Sequence, residues 1–294
     1  MPELPEVFTI SQDLKKNIVG FEIRSIQFSS YYRVPDDIKK SLNKLIGKKI
    51  LDVDRVAKNI VLKLSKDDYI IFHLAMTGRL LLRNCRDKND NWVKLVLIIC
   101  KGDEIKELRF CDMRQFGKVL VVNKENLNKI ISKYGLSALE EKTSAEDLLY
   151  NLKSRRTNIK NALMDQKIIS GLGNIYATEA LFLSKINPKL PTRNFTLEMS
   201  TKLLNSIRQE LKEAIKNRGA TLPDKMYVDI FGKPGHQQDY FKIYLKKVCD
   251  VCGSKVEFEK INGRGTYFCP ICQPLETTTS NRNKKIPDGQ KKLL

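Results

Sequence analysis

The sequence predicts a multi-domain α+β protein, and three observations predict it. Eight short strand candidates follow an amphipathic helix at the start of the chain, the apolar period turns helical after Lys124, and two cysteine pairs flank a hairpin near the end. The 294 residues leave room for two cores and a smaller third unit. Against 34 Asp and Glu stand 53 Lys and Arg, a formal charge of +19 that selects polyanions, nucleic acid first, as partners. No apolar run approaches the ~20 residues that a membrane span needs, and no targeting segment is apparent, so no membrane partner is expected.

Val7, Ile10, Leu14 and Ile18 recur at helical spacing, and Gly20 suits the end of that helix. Strand candidates follow at 21–28, 49–53, 60–64, 69–74, 80–82, 93–99, 105–110 and 118–122, broken by Asp67-Asp68, Gly78 and Gly102-Asp103. Short strands at this cadence read as a β-sandwich or barrel, interrupted by a second helix over 35–46. Helical segments are then expected at 126–133, 144–153 and 158–164. Ser170-Gly171-Leu172-Gly173-Asn174 makes a tight turn that opens a helix over 175–183. Thr196 caps the longest helix, whose stripe Leu203, Leu204, Ile207, Leu211 and Ile215 ends at Gly219. Residues 219–242 lack periodicity and read as a long functional loop. The domain limits follow as 1–134, a linker and the start of a helical domain at 135–150, the helical domain proper at 151–242, a finger at 243–274, and a disordered basic tail at 275–294.

The finger rests on Cys249-x2-Cys252, sixteen intervening residues, and Cys269-x2-Cys272. Four thiolates at this spacing close a tetrahedral site, so one structural zinc ion is expected. Asn262-Gly263 between the pairs is a strong hairpin signal, which carries Arg264 to the tip, where it suits a phosphate or a groove. Disulfides are the alternative, but an odd total of seven cysteines and no signal peptide favour a reducing compartment. Cys85, Cys100 and Cys111 lie in apolar strand patterns and read as buried packing.

Pro2 follows an initiator methionine that is expected to be removed. The exposed secondary amine then belongs to a class titrating at roughly 7.7–8, well below lysine, and can form a Schiff base with a sugar carbonyl carbon. Glu3 and Glu6 lie within one turn of it and can move protons. The competing reading is an ordinary helix start, with proline and acidic residues in the first turn.

Taken in order, Met1-Pro2-Glu3-Leu4-Pro5-Glu6-Val7, Arg55-Val56-Ala57-Lys58, His73-Leu74-Ala75-Met76-Thr77-Gly78, Asp112-Met113-Arg114-Gln115-Phe116-Gly117, Leu163-Met164-Asp165-Gln166, Gly171-Leu172-Gly173-Asn174-Ile175-Tyr176-Ala177 and the four-cysteine hairpin give the chain its resemblance. Over roughly residues 1–273 it resembles the formamidopyrimidine-DNA glycosylase family, which excises oxidised purines. The resemblance implies an N-terminal catalytic β-sandwich flanked by helices, a helix–two-turn–helix domain and a zinc β-hairpin finger. It implies double-stranded DNA containing oxidised bases or abasic sites as the partner, a monomer, and a flipped-out lesion. Pro2 then attacks the anomeric carbon, Glu3 assists by proton transfer, and successive eliminations cut the strand.

On the same terms Lys58 joins Pro2 and Glu3 as catalytic. Met76, Arg114 and Phe116 fill the vacated space in the duplex. The turn at Gly171–Asn174 offers backbone N–H groups to a phosphate. Glu6, Lys160, Asn174, Tyr176 and Arg264 complete the expected DNA contacts, while Glu179 reads as a structural partner and 219–240 as the lesion loop. A cytoplasmic location with the nucleoid is expected, or a nuclear one in a eukaryotic host. Several positions depart from the family pattern. Asn89-Asp90-Asn91-Trp92 stands where a histidine approach is usual, leaving His73 and His236 as the only histidines. Gln115 replaces an arginine, Gly135-Leu136-Ser137 replaces a Gly-Pro-acidic turn, and the loop carries Pro223 and about two extra residues. Two other functions stay open: an endonuclease VIII-like enzyme for oxidised pyrimidines, and a non-catalytic zinc-containing protein that binds damaged DNA. Leu4 with the Met76, Arg114, Phe116 trio favours purines, and intact Pro2, Glu3 and Lys58 favour an enzyme.

Overall fold

The computed structural model of the chain describes residues 2–30 and 34–275. Met1 and the expected disorder of the tail, from residue 276 on, lie outside the described residues. Helix α1 (Leu4–Ile18) starts at Glu3, whose backbone N–H donates to the Glu6 carboxylate at 2.7 Å. It stops where Gly20 turns the chain at φ +91°, a left-handed conformation that favours glycine.

The strands then follow as β1 (Glu22–Phe28), helix α2 (Asp36–Asn43), β2 (Ile50–Val56), β3 (Asn59–Leu64), β4 (Asp68–His73), β5 (Gly78–Asn84), β6 (Val93–Lys101), β7 (Glu104–Asp112) and β8 (Lys118–Asn123). They form two antiparallel four-stranded sheets, ordered β1-β6-β7-β5 and β2-β3-β4-β8. Side chains from both sheets, such as Ile23, Leu97 and Phe110 against Val53, Ile60 and Phe72, share one apolar core with α1. Two separate sheets around one core make this a sandwich and not a barrel.

Helix α3 (Lys124–Ile131) lays Leu127 on the outer face of the second sheet, against Val61, Tyr69 and Ile71. The chain continues through β9 (Leu136–Ser137), α4 (Ala145–Lys153), α5 (Ile159–Met164), β10 (Ile169–Ser170), α6 (Asn174–Leu183) and α7 (Leu197–Lys216). Asn123, Ser144, Asn158 and Thr196 each accept an N–H of the helix they precede, as N-cap residues do. The parallel pair of β9 and β10 carries no sequence signal, because two residues show no period. It replaces the missing proline turn with a different anchor. Gly135 donates to the Gln166 carbonyl, and a Cβ there would stand 2.3 Å from the Lys167 carbonyl.

Two insertions lock the domains together. Leu4 leaves the sandwich and is fully buried in the helical core, its N–H donating to the Gly171 carbonyl at 3.0 Å. Removing that side chain costs about 2–5 kcal/mol. In the opposite direction, Tyr227 and Ile230 of the loop enter the sandwich core. Arg79 donates to the carbonyls of Lys225 and Met226, and the Leu82 N–H donates to that of Ile230. The loop is therefore fastened to β5. Pro223 occupies the second position of an exposed turn closed by Lys225 N–H and the Leu222 carbonyl, a place where no donor is required.

The finger hairpin is β11 (Glu257–Ile261) and β12 (Arg264–Phe268), joined by Asn262 and Gly263 at φ 47° and 74°, the paired left-handed residues of a type I′ turn. Its first strand starts two residues later than the alternating pattern suggests, since Lys255 pairs with Val248 instead. Phe182 of α6 packs with Ile243, Val256, Cys249 and Cys269, which ties the finger to the helical domain. Among the described residues no helix is long and apolar enough to cross a membrane.

Candidate active site and metal centre

The start of α1 brings Pro2 and Glu3 to the N-terminus of α6. Pro2 is buried, and the Glu3 carboxylate accepts the backbone N–H groups of Gly173 (2.6 Å), Ile175 (2.9 Å) and Tyr176 (3.4 Å). These donors carry the positive end of the helix dipole, so the carboxylate is held both by hydrogen bonds and by field. Here the structure corrects the expectation that the glycine turn cradles a phosphate. The anion received by these three N–H groups is Glu3. Gly173 has no side chain because a Cβ would stand 2.4 Å from that carboxylate, and Gly171 at φ +93° makes room for Leu4.

Glu6 is a second buried carboxylate, with both oxygens committed. It accepts the Glu3 N–H, the Tyr176 hydroxyl and the Ala220 N–H at 2.8 Å. Burial pushes its carboxyl above the usual range, with the Glu3 charge adding and the three donors opposing. Tyr176 is fully buried against it. Both residues therefore brace the N-terminus and the base of the loop, their polar atoms bonded inside the protein where the sequence reading expects DNA contacts.

Lys58 faces the same cluster from the sandwich, only 8% exposed. Burial draws its ammonium below the ordinary lysine range, Arg264 adds to that, and Glu3 and Glu6 oppose it. One field thus joins the N-terminal segment, the sandwich and the fingertip. Arg264 is exposed at the start of β12, as the hairpin signal requires. His73 lies at the end of β4 and contacts the Asn59 carbonyl oxygen at 3.0 Å through Nδ1. Asn59 spends its amide N–H groups on Val56 and Tyr134, so the imidazole Nδ1 carries the proton. Burial first, then Lys58 and Lys118, draw the ring below the ordinary histidine range, and its Nδ1–H is committed to the Asn59 carbonyl oxygen, a structural bond.

Lys160 is the clearest correction. It is 1% exposed, and its ammonium donates to the Asn174 carbonyl at 2.8 Å and to Thr178. Burial brings it down to about 7, with Glu3 and Glu179 opposing. It holds the first turn of α6 from inside, where the sequence reading expects a DNA contact. Asn174 donates to the Gly265 carbonyl at 2.9 Å, joining the turn to the finger. Glu179 accepts the N–H groups of Lys242, Ile243 and Tyr244 and anchors the chain entering the finger.

Met76, Arg114 and Phe116 meet at one exposed edge of the sandwich. Arg114 contacts the Met76 sulfur at 3.3 Å and lies 4.9 Å over the Phe116 ring, which is 54% exposed. Large apolar side chains left in water at one edge invite a stacked base. The edge is held by Asp112, whose role the motif does not reveal although the residue opens it. Its buried carboxylate accepts Thr77 Oγ1 at 2.5 Å and the Gly117 N–H at 2.6 Å, and Thr77 in turn accepts the Arg114 N–H. Gln166 is a second residue of this kind. It receives the Gly171 N–H and donates to the Leu172 carbonyl, setting the turn from both sides. Asp90, in the segment that lacks the histidine, pairs with Arg83 and Arg109. Cys85 is exposed, contrary to expectation, because it falls just past the end of β5; Cys111 is buried and its thiol is pushed up to about 12.

In the finger the sulfurs of Cys249, Cys252, Cys269 and Cys272 all lie within 4.8 Å of one another. Cys249 and Cys272 stand 3.8 Å apart, Cys252 and Cys269 3.5 Å. A tetrahedron with zinc–sulfur bonds of about 2.3 Å has edges of about 3.8 Å, so the four thiolates fit one zinc ion.

A two-sheet sandwich, a helical domain with a glycine turn, and a four-cysteine hairpin, with the chain's first residues wedged between them, define a class of DNA-lesion enzyme architecture. Three family models match in order: the formamidopyrimidine-DNA glycosylase N-terminal domain over 1–119, its H2TH domain over 134–225, and a zinc finger found in FPG and IleRS over 246–275. The formamidopyrimidine-DNA glycosylase of Pelotomaculum thermopropionicum is 36% identical, over 94% of this chain and 100% of its own length. That of Lactobacillus helveticus is also 36% identical, over 94% and 99%. Among solved structures, the Lactococcus lactis Fpg in complex with DNA containing an abasic site superposes with a TM-score of 0.83 at 30% identity, covering 93% of this chain and 100% of that one. The MutM (Fpg) protein of Thermus thermophilus gives 0.82 at 31%, covering 94% and 100%. The chain belongs to the formamidopyrimidine-DNA glycosylase family.

Proposed function

We propose that the protein is a base-excision DNA glycosylase that removes oxidised purines from duplex DNA and cuts the resulting abasic strand, with the Pro2 amine as nucleophile. The observation that carries this reading is the convergence of the Pro2–Glu3 segment, Lys58 and Arg264 in one electrostatic cluster at the positive end of α6. The amine lone pair forms a bond to C1′ as the glycosidic bond breaks, and the bonding pair leaves with the base, which takes a proton from water. The N–H proton of the alkylated amine passes to the Glu3 carboxylate, which delivers it to the oxygen of the sugar ring as the ring opens and leaves an iminium. A secondary amine makes that iminium obligatorily cationic, so it draws electrons from C2′ and drives elimination of the 3′ and then the 5′ phosphate. Water releases the enzyme. Lys58 and Arg264 supply positive charge for the phosphates around the lesion, and Met76, Arg114 and Phe116 occupy the space that the flipped base leaves.

Solved relatives are described in complex with DNA containing an abasic site or Fapy-dG, which supports duplex DNA with such lesions as the partner. The proposal includes a monomer with the domain limits given above, working at the chromosomal DNA of the cell. Borohydride trapping on an 8-oxoguanine:C duplex, with the protein's N-terminus starting at Pro2, tests the chemistry. A covalent adduct that is lost in Pro2→Gly and reduced in Glu3→Gln is expected. Tight lesion binding with no adduct and no strand cut overturns the enzyme in favour of a damage binder. Faster excision of thymine glycol than of 8-oxoguanine overturns the purine preference.

A further inference from the structure

The chain leaves α7 through Arg218, whose backbone is left-handed at φ +61°. Its N–H donates to the Ile215 carbonyl and that of Gly219 to the Ala214 carbonyl, the two bonds of a Schellman motif. The left-handed position of that motif is usually glycine, so an arginine there is strained. A residue kept against strain points to a use for its side chain.

The guanidinium donates to two carboxylates at once. Its Nη2 lies 2.5 Å from Asp13 Oδ2 and 2.7 Å from Asp229 Oδ2, and its Nη1 lies 3.4 Å from Asp13 Oδ1. Three parts of the molecule meet here, since Asp13 belongs to α1, Arg218 to the end of the helical domain and Asp229 to the loop. The two aspartate side chains are only 12% and 3% exposed, so water screens their charges poorly. Among the described residues neither has another cationic partner. Without the guanidinium, two enclosed like charges would face each other, and the loop would be pushed away from α1 as well as released.

What Arg218 fastens lies beside the nucleophile. Ala220, two residues on, donates its N–H to Glu6, which also accepts the Glu3 N–H. The Tyr227 hydroxyl donates to the Arg218 carbonyl at 2.8 Å, and Thr221 Oγ1 to the Tyr227 carbonyl at 2.9 Å. These bonds close 218–227 into a ring whose exposed part is the turn at Pro223, Asp224 and Lys225. Asp229 Oδ1 accepts the N–H groups of Phe231 and Lys233, so the arm beyond the ring is folded too. A base still joined to the C1′ that Pro2 attacks lies within a nucleobase's length of this ring. An abasic sugar carries nothing that reaches it.

We infer that Arg218 is a positioning residue for base excision: clamped between Asp13 and Asp229, it holds the 218–229 segment in register with an intact flipped base, and strand cutting at an abasic sugar proceeds without it. This rests on the reading of the protein as a base-excising enzyme and adds the clamp on which the excision step alone depends.

The test compares the parent with Arg218→Gly, each as the full chain with zinc and an N-terminus at Pro2. Glycine is the residue that this helix end prefers, so α7 keeps its termination and only the guanidinium is lost. In single turnover, release of 8-oxoguanine from an 8-oxoguanine:C duplex is expected to slow by about 10–100-fold. Cutting of the same duplex with a preformed abasic site is expected to stay within about twofold of the parent. Hydrogen exchange without DNA gives a readout free of chemistry: amides of 219–235 are expected to exchange faster in the variant, those of β3 and α6 at the parent rate. Asp13→Ala severs only the tie to α1 and leaves Arg218 on Asp229, and it reproduces the split should Arg218→Gly fail to fold. Equal slowing of both reactions makes Arg218 a general structural clamp and overturns the inference, as does base release at the parent rate. A parent that releases no base at all overturns the glycosylase reading and this inference with it; an active parent with an equally active variant overturns this inference alone.

Discussion

Gly173→Ala isolates what the helix terminus does for Glu3. The backbone of Gly173, φ −131° and ψ −152°, is negative in φ and open to alanine, so strain in the chain is not the obstacle. The obstacle is the new methyl group, which would stand 2.4 Å from the Glu3 carboxylate. That carboxylate sits at the end of a flexible side chain and must retreat by about 1 Å, breaking its bonds to the Gly173 and Ile175 N–H groups. Charge-assisted bonds of this kind contribute about 1.5–3 kcal/mol each, part of which water restores, so a stability loss of about 2 kcal/mol is expected. In a chain of this size that lowers Tm by about 3 °C. The catalytic cost is larger, since a misplacement of about 1 Å at a reacting group typically lowers the rate on the order of 100-fold. Single-turnover borohydride trapping should slow by about that factor, while affinity for an uncleavable abasic-site analogue stays within severalfold. A variant that traps at the parent rate would show that the position of the Glu3 carboxylate on α6 is irrelevant to the chemistry.

Three further outcomes concern the interior lysine, a buried carboxyl and the finger. Lys160→Met should leave the salt dependence of DNA binding unchanged and lower Tm, because the ammonium is enclosed with Asn174 and Thr178; a slope smaller by about 0.9 would put it on a phosphate after all. Glu210 is raised to about 7, by burial first and Glu179 next, so the folded protein binds a proton there that the unfolded chain releases near 4.5. Stability from this group is therefore lost as pH rises from about 4.5 to 7, by up to about 3 kcal/mol, and Glu210→Gln, which keeps an acceptor for Gln237, should gain Tm over the parent steadily from about pH 5 to 8. A pH-independent difference would contradict that assignment. Cys269→Ser should lose its zinc, measured by metal analysis, and weaken binding to the abasic-site analogue; full affinity in the metal-free protein would remove the finger from DNA recognition.

The sequence by itself determined the elements and the chemistry-bearing residues. Alternation and the helical period located the sandwich strands and the helices to within a few residues, because each buries one face and that face repeats along the chain. Asn262-Gly263 fixed the fingertip, since few other dipeptides accept two left-handed residues in succession, and the cysteine spacing located the metal centre. The tertiary structure alone decided the partners. Whether the strands close into a barrel or stack as two sheets depends on pairing over distances that local patterns do not encode. The glycine turn reads equally well as a phosphate cradle, and only the arrival of α1, 170 residues away in sequence, fills it with Glu3. Lys160 and Tyr176 look like surface contacts in a one-dimensional motif, yet both point inward: α6, which carries Tyr176, is surrounded on every side and shows no amphipathic period by which to tell its inner face, and α5, which carries Lys160, is six residues long, too short to show one. Periodicity reports that a residue is buried or exposed along one element; what it is buried against belongs to contacts between elements, and those follow from packing in three dimensions.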